Sequence, residues 1–117
     1  MYILKEPEYF SFEKAGIKGK IFPTQDFTLK TSFVLVETEK GHETTIREKQ
    51  SDFIYYVLEG EGVFVINDIN EKCSRGDLIV IPAGTKFTYK GRLKLLLSCV
   101  PPWKEEQEET IFEGIKI

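Results

Sequence analysis

Residues 52–68 read DFIYYVLEGEGVFVIND and form the most strand-like stretch of the chain. Successive side chains of a strand point to opposite faces, and both faces of the first half are apolar here. The two sets are Phe53, Tyr55 and Val57 on one face and Ile54, Tyr56 and Leu58 on the other. A strand of a two-layer sheet usually keeps one face polar, so both faces of this strand are expected to be covered. The glycines of Gly60-Glu61-Gly62 predict a hairpin turn between two strands.

The composition indicates one domain, residues 1–117, that does not bind nucleic acid. The chain has 16 Lys and Arg residues against 19 Asp and Glu, with a pI near 5.3, whereas a nucleic-acid surface is usually basic. No apolar run approaches the roughly 20 residues that span a bilayer, and the first residues do not resemble a signal peptide. We therefore expect a cytoplasmic protein without a membrane partner, in which Cys73 and Cys99 are reduced thiols.

Strand signals recur along the chain with the spacing of a β-sandwich or barrel. Gly, Asn and Pro stand between them, where the backbone must reverse, and no long stretch has the apolar period of a helix. Only the tail, WKEEQEETIF, could form a short helix. The predicted strands are IKGKIF, TSFVLVET, HETTIRE, DFIYYVLEG, GVFVIND, DLIVIPA, TKFTYKG and RLKLLLSCV. Many short antiparallel strands without βαβ units predict an all-β jelly roll or small barrel.

The apolar residues on the second face need a cover of their own. In RLKLLLSCV the inward residues are predicted to be Leu93, Leu95, Leu97 and Cys99, which leaves Leu96 facing out beside residues 54, 56 and 58. A second copy of the chain in a two-fold homodimer is the simplest cover, because apolar patches of that size are uncommon on monomers. The alternative is that residues 1–30 or 102–117 fold back over the barrel.

Two glycine-rich motifs resemble those of the cupin superfamily over about residues 31–101. In the first, Gly41 and Gly60 enclose positions 47, 49 and 53; in the second, Gly76 is followed by Pro82-x-Gly84 and position 87. The resemblance implies a single-domain cupin, an all-β jelly-roll barrel also called a double-stranded β-helix. It also implies that positions 47, 49, 53 and 87 lie where most cupins bind a transition metal.

The residues at those four positions are not metal ligands. They are Arg47, Lys49, Phe53 and Phe87. Two are cations, two are aromatic rings, and the whole chain has one histidine. We therefore expect no metal and no cofactor, which removes the support for metal-dependent oxygenase or isomerase chemistry.

The register of the first motif has two possibilities. The spacing from Gly41 places Arg47 and Lys49 inward, or at the mouth with their charged groups in water. A spacing one residue longer places Ile46 and Glu48 inward instead, which avoids burying two unpaired cations. Both spacings keep Phe53 inward.

The interior is predicted to be either a ligand pocket or a filled core. A pocket lined by Phe53, Tyr55, Phe87 and Tyr89 would bind a small organic ligand. Arg47 and Lys49 at its rim would suit an anionic one. The alternatives are a metal-independent isomerase or epimerase for a sugar-type substrate, and an interaction dimer whose barrel is filled by aromatic rings.

Catalytic residues are not identified by the sequence. In the enzyme alternative, Tyr55 or Tyr89 is the candidate acid and Glu48 the obvious base. His42 is predicted to be exposed, and would act as a base only if its loop folded over the pocket. Cys73 is interpreted as a turn cysteine with solvated neighbours.

Overall fold

The computed structural model describes residues 3–5 and 9–111, and the described chain is almost entirely β-structure. Every strand pairing is antiparallel. One 3₁₀ turn within the described residues, Glu105–Gln107, precedes β9. The strands are β1 (Phe10–Lys14), β2 (Ile17–Phe22), β3 (Ser32–Thr38), β4 (Thr45–Glu48), β5 (Asp52–Ile66), β6 (Ile69–Ser74), β7 (Leu78–Ile81), β8 (Lys86–Val100) and β9 (Glu108–Ile111).

Two long strands, β5 and β8, form the frame of the molecule. They have 15 residues each and pair from Asp52↔Val100 to Ile66↔Phe87. The second half of β8 also pairs with β3, and its first half pairs with β4. Each long strand therefore belongs to two sheets that face each other, which is the jelly-roll arrangement. The prediction of an all-β jelly-roll fold is confirmed.

The predicted hairpin turn at Gly60-Glu61-Gly62 is wrong. The segment lies inside β5, where a β-bulge between Val57 and Glu59 shifts the register against β8. Glycine is needed there for close approach to the neighbouring strand: a Cβ on Gly60 would lie 2.0 Å from the Arg92 carbonyl oxygen. Because the bulge adds a residue, the inward face changes from odd numbers before it to even numbers after it, and Phe64 is fully buried.

The core lies between the two sheets. Leu93, Leu95, Leu97 and Cys99 are buried as predicted, while Leu96 is half-buried on the outer face. Cys73 and Cys99 are free thiols. Cys73 is a buried residue of β6 rather than a turn residue, and burial raises its thiol pKa.

The first motif has the longer of the two spacings. In β4, Ile46 and Glu48 are buried, and β4 lies between β8 and β9. Arg47 points outward and forms an ion pair of 3.2 Å with Glu109 of β9, and Lys49 is exposed. The assignment of Arg47 and Lys49 to the barrel interior is therefore wrong. Burying two unpaired cations would cost much free energy, whereas burying the apolar side chain of Ile46 is favourable.

The tail is mostly extended rather than helical. After the 3₁₀ turn, residues 108–111 add β9 to the edge of β4, and Trp103 packs against the core. The strands β1, β6 and β9 were not predicted from the sequence. No helix among the described residues has the length and apolar character needed to cross a membrane.

Candidate functional site

The barrel is filled at one end and open at the other. An aromatic cluster at the filled end is formed by Phe53, Phe64 and Phe87 with Tyr55 and Tyr89. Ring centroids in contact are 4.9 to 6.1 Å apart. Beyond the cluster lies a cavity of about 290 Å³. Its volume is close to the lower limit of small-molecule sites.

Most of the cavity wall is apolar. The polar lining residues come from β1, the loop before β4, the two long strands and the tail. The exposed members, Glu13, Lys14 and Glu105, mark the mouth. The whole lining set is Phe12, Glu13, Lys14, Ile17, Ile21, Val34, Val36, His42, Ile46, Phe53, Tyr55, Tyr89, Leu97, Cys99, Trp103, Glu105 and Glu108.

His42 is held in the cavity wall by its backbone and by one ring nitrogen. Gly41 has a φ of +112°, and a Cβ there would lie 2.3 Å from the Tyr89 carbonyl oxygen. This close approach lets the His42 N–H donate to the same oxygen at 2.9 Å. His42 is 8% exposed, and its ring Nδ1 lies 2.8 Å from the Thr44 carbonyl oxygen. The Thr44 carbonyl oxygen is nearer to Nδ1 than the Thr44 N–H and hydroxyl, which lie at 3.3 Å, and a carbonyl can only accept. We therefore assign the proton to Nδ1, which leaves Nε2 with a free lone pair.

The electrostatics of the site keep His42 neutral. Burial lowers its pKa from the ordinary value of 6.5, and this outweighs the Thr44 hydrogen bond and the Glu108 charge, which act in the opposite direction. A buried, neutral imidazole with a free nitrogen can accept a proton from a bound molecule. The expectation that His42 is exposed is wrong. The signal for its position was Gly41, whose missing side chain allows the contact with β8.

Tyr55 and Tyr89 lie side by side on the inner faces of β5 and β8. Their ring centroids are 5.7 Å apart, and His42 packs edge-on against Tyr89 at 5.6 Å. Burial raises the pKa of Tyr55 well above its ordinary value and also raises that of Tyr89. Both hydroxyls are therefore protonated at neutral pH and can donate hydrogen bonds.

The Tyr89 hydroxyl lacks a well-formed hydrogen bond. The Tyr55 hydroxyl is near enough to lower the pKa of Tyr89 slightly, but the Tyr89 oxygen has no partner of good distance and angle among the described residues. Tyr89 is fully buried in the cavity wall. Buried polar groups are almost always paired, so an unpaired hydroxyl here points to a bound molecule or water.

A three-residue clasp joins β1 to the tail at the mouth of the cavity. Lys14 Nζ lies 2.9 Å from Glu108 Oε2 and 4.7 Å from the centre of the Trp103 ring. The Trp103 indole N–H donates to Glu108 Oε1 at 3.3 Å. β1 and β9 are the two ends of the strand order β1-β2-β3-β8-β4-β9, so the clasp closes a seam that has no strand pairing. The three members of the clasp were not among the predicted site residues.

The residues predicted to bind a ligand are only partly brought together. Phe53, Tyr55 and Tyr89 line the cavity, whereas Phe87 is buried in the aromatic cluster behind it. Arg47 and Lys49 do not belong to the lining. A ligand-binding role for any of these six residues stays a prediction.

The residues at the metal positions of other cupins do not fit a transition metal. The inward residues are Ile46, Glu48, Phe53 and Phe87, of which only Glu48 has a ligand atom. Its Oε1 accepts the backbone N–H groups of Gln50 and Ser51 at 2.7 and 3.0 Å, so the carboxylate stabilises its own turn. Over residues 3–5 and 9–111, no group of three His, Cys, Asp or Glu side chains could hold an ion.

The comparisons with known proteins agree with this architecture. No protein-family model matches the chain. The uncharacterized protein MJ1618 of Methanocaldococcus jannaschii is 26% identical over 108 residues, which cover 88% of this chain and 86% of that protein. KdgF from Halomonas is 20% identical with a TM-score of 0.70, over 87% of this chain and 94% of that one, and shows likeness of fold alone.

The Streptomyces protein Pac13, described as a nucleoside dehydratase, is similar over nearly the whole chain. Its H42Q variant with uridine is 27% identical to this chain with a TM-score of 0.89, over 96% of this chain and 92% of Pac13. Variants Y55F and Y89F have also been solved with uridine. This chain has His42, Tyr55 and Tyr89 at the same three numbers. By its jelly-roll architecture and these likenesses, the chain is a small domain of the cupin superfamily.

Proposed function

We propose that this protein is a metal-independent dehydratase that removes water from a small nucleoside-type molecule by general acid–base catalysis. One observation carries the proposal: a base with a free nitrogen, His42, and an acid with an unpaired hydroxyl, Tyr89, line the same cavity. The likeness to Pac13, whose variants at residues 42, 55 and 89 were solved with uridine, supports the choice of reaction and substrate class.

The chemistry follows from the strength of the base and the acid. A neutral imidazole is a weak base, so the C–H bond that it attacks must lie next to an electron-withdrawing group such as a carbonyl. His42 Nε2 takes this proton, the C–H electron pair forms a double bond, and the C–O bond on the neighbouring carbon breaks.

Tyr89 supplies the proton that the leaving oxygen needs. Hydroxide is a far stronger base than a tyrosinate, so even a tyrosine of raised pKa can protonate it, and the oxygen departs as water. The tyrosinate then recovers a proton from the imidazolium of His42, and both groups return to their starting forms. The Tyr55 hydroxyl beside Tyr89 lowers the pKa of Tyr89, so it can stabilise the tyrosinate by donating a hydrogen bond once the tyrosinate has formed.

The observed cavity supports the other functions considered from the sequence to different degrees. A barrel filled by its aromatic residues has no support, because the cluster stops short of the open end. A small-molecule carrier needs the cavity but gives no reason for a free imidazole nitrogen beside a spare tyrosine hydroxyl. An isomerase or epimerase on the same site would return the proton to carbon instead of releasing water.

The proposal is tested with His42→Gln. The wild-type protein should bind uridine in calorimetry and convert a β-hydroxy carbonyl derivative of uridine to a product that has lost water, measured by mass spectrometry. His42→Gln should keep the binding and lose turnover by about 10² to 10⁴-fold, the usual contribution of a general base. Glu43→Gln, next to His42 but exposed, is the matched control and should remain active.

Three outcomes would contradict the proposal. Failure of the wild-type protein to bind uridine would remove the substrate class. Full activity of His42→Gln would remove the base. Binding without turnover of any β-hydroxy carbonyl nucleoside would leave a carrier, the first function that the sequence suggested.

A further inference from the structure

The charges of the cavity are gathered at its mouth. The inner wall is made mainly of aliphatic and aromatic side chains, and His42 on that wall is neutral at physiological pH because burial lowers its pKa. The charged lining residues are Glu13, Lys14, Glu105 and Glu108. Lys14 is thus the one Lys or Arg among the described lining residues, and the recognition of an anion by this pocket would depend on it.

The charge of Lys14 is already neutralised. Its ammonium group is 2.9 Å from the Glu108 carboxylate and lies over the Trp103 ring. Glu108 is held from the other side by the indole N–H, and its side chain is only 15% exposed. To bind an anion, Lys14 would have to leave a partly buried carboxylate without its partner, which is costly.

Glu105 leaves the mouth with an excess of negative charge. It lies in the 3₁₀ turn of the tail, lines the mouth and is exposed. Within the described residues no ion pair involves it. The neighbouring Glu106 adds to the negative potential without lining the cavity.

We propose that this mouth makes the protein select uncharged nucleosides over nucleotides, with Glu105 as a specificity-determining residue. The inference rests on the proposed function and narrows its substrate class. A phosphate group can take two positions, and both are unfavourable. Inside the cavity it would lose water against an apolar wall with no free cation, and at the mouth it would face Glu105 and the Glu108 carboxylate. The argument therefore holds for either orientation of the ligand.

Uridine and uridine 5′-phosphate test this selection directly. Trp103 is the only tryptophan of the chain and lies in the cavity wall, so its fluorescence reports binding, with calorimetry as a second measurement. We expect the wild-type protein to bind uridine at least about tenfold more tightly than uridine 5′-phosphate at low salt. The ratio should shrink as salt is added, because exposed charges are screened.

Two charge reversals in the same turn locate the effect. Glu105→Lys should improve the binding of uridine 5′-phosphate relative to uridine by about tenfold. Glu106→Lys changes the net charge equally at the next residue and should have a clearly smaller effect. Glu106 lies outside the cavity lining, so Glu106→Lys should leave the turnover of an uncharged substrate unchanged.

The outcomes separate this inference from the function on which it rests. Equal binding of the two ligands by the wild-type protein, or equal effects of the two reversals, would overturn the role of Glu105 and leave the dehydratase proposal intact. If neither uridine nor uridine 5′-phosphate binds to the wild-type protein, both this inference and the dehydratase proposal are overturned.

Discussion

The only histidine of the chain, His42, is fixed by a backbone hydrogen bond to Tyr89, and burial in the cavity wall keeps its imidazole neutral. The imidazole receives no hydrogen bond at Nε2 from the described residues, and its Nδ1 proton is committed to Thr44. Tyr89 presents the complementary group, a hydroxyl without a good partner. Both residues thus keep a hydrogen-bonding function unused in the folded protein, at some cost to its stability.

The lowered pKa of His42 predicts a loss of stability on acidification. The unfolded chain binds a proton at His42 near pH 6.5, whereas the folded protein binds it only at lower pH. The unfolding free energy should therefore fall as the pH is lowered through 6.5, until the folded-state pKa is passed. Burial is the main cause of the lowered pKa, Lys14 adds to it, and Thr44, Glu108 and Glu43 oppose it, so the fall in stability measures the net of all five contributions.

Urea unfolding at several pH values between about 7.5 and 5 measures this effect. His42→Gln should show a shallower fall than the wild type over the same range, because it lacks the titrating group. Identical slopes for the two proteins would mean that His42 is not buried in the neutral form.

Removing the Tyr89 hydroxyl should separate stability from activity. Tyr89→Phe deletes a buried group without a good partner, so the unfolding free energy should stay the same or rise by up to about 1 kcal/mol. If Tyr89 is the proton donor, turnover should fall by about 10² to 10⁴-fold. A large loss of stability in urea unfolding would mean that the hydroxyl is paired in the folded protein.

At the scale of single elements, alternation predicted the inward residues well, and glycine predicted the turns at Gly76 and Gly84 but not the continuous strand at Gly60 and Gly62. The inward residues of β8 and of the first half of β5 follow from period two, and both are correct. Gly60 and Gly62 were interpreted as a turn because a turn and a close approach of two strands use the same residue. The deciding contact is with Arg92, which is distant in sequence.

The register of β4 and the position of His42 depended on partners in the same way. Ile46 and Glu48 face inward while Arg47 pairs with Glu109 of β9 on the outer face, and the polar sequence of β9 gives little sign of a strand. The clasp forms only where β1 and the tail lie side by side, and this proximity arises from the closure of the barrel rather than from any local sequence pattern. The fold class and the inward positions of Tyr55 and Tyr89 could thus be predicted, but the buried position of His42 could not.

Gly60→Ala should destabilise the protein strongly. Its φ is +90° and an added Cβ would lie 2.0 Å from the Arg92 carbonyl oxygen, so strain and a clash act together. Gly76 has a φ of +94° with nothing within 4 Å of an added Cβ, so Gly76→Ala is a control for strain alone. We expect losses of about 3 kcal/mol or more and about 1 to 2 kcal/mol, respectively, in urea unfolding. Equal losses of unfolding free energy in the two variants would mean that β5 and β8 move apart at Gly60 to relieve the clash.

At the scale of the whole molecule, the described residues leave an apolar outer sheet face partly exposed. An apolar stripe crosses four adjacent strands: β7, β5, β8 and β3 contribute Leu78, Tyr56, Leu96 and Leu35 at paired positions. Leu78 is 61% exposed and Tyr56 is 41% exposed. We propose that a second copy covers this stripe in a two-fold homodimer, since the same surface can then serve both partners.

Sedimentation measures the dimer directly. The wild-type protein should sediment as a dimer, and Tyr56→Glu should shift it to monomer. Ile69→Glu places the same charge on an exposed apolar residue of β6, away from the stripe, and should leave the dimer intact. A monomeric wild-type protein would overturn the dimer proposal, and the stripe would then have to be covered by a different partner.

The two long strands have a consequence for how the protein unfolds. The strands β5 and β8 run through both sheets and pair along their whole length. Because each sheet depends on these two strands, we expect that neither sheet stays folded when the other unfolds. Partial opening should be confined to the margins, at β1 and β9, while everything else is lost in one cooperative step. In deuterated solvent, the central amides of β5 and β8 should exchange last and at one common rate. Separate slow rates for the two ends of these strands would mean that the halves of the barrel open independently.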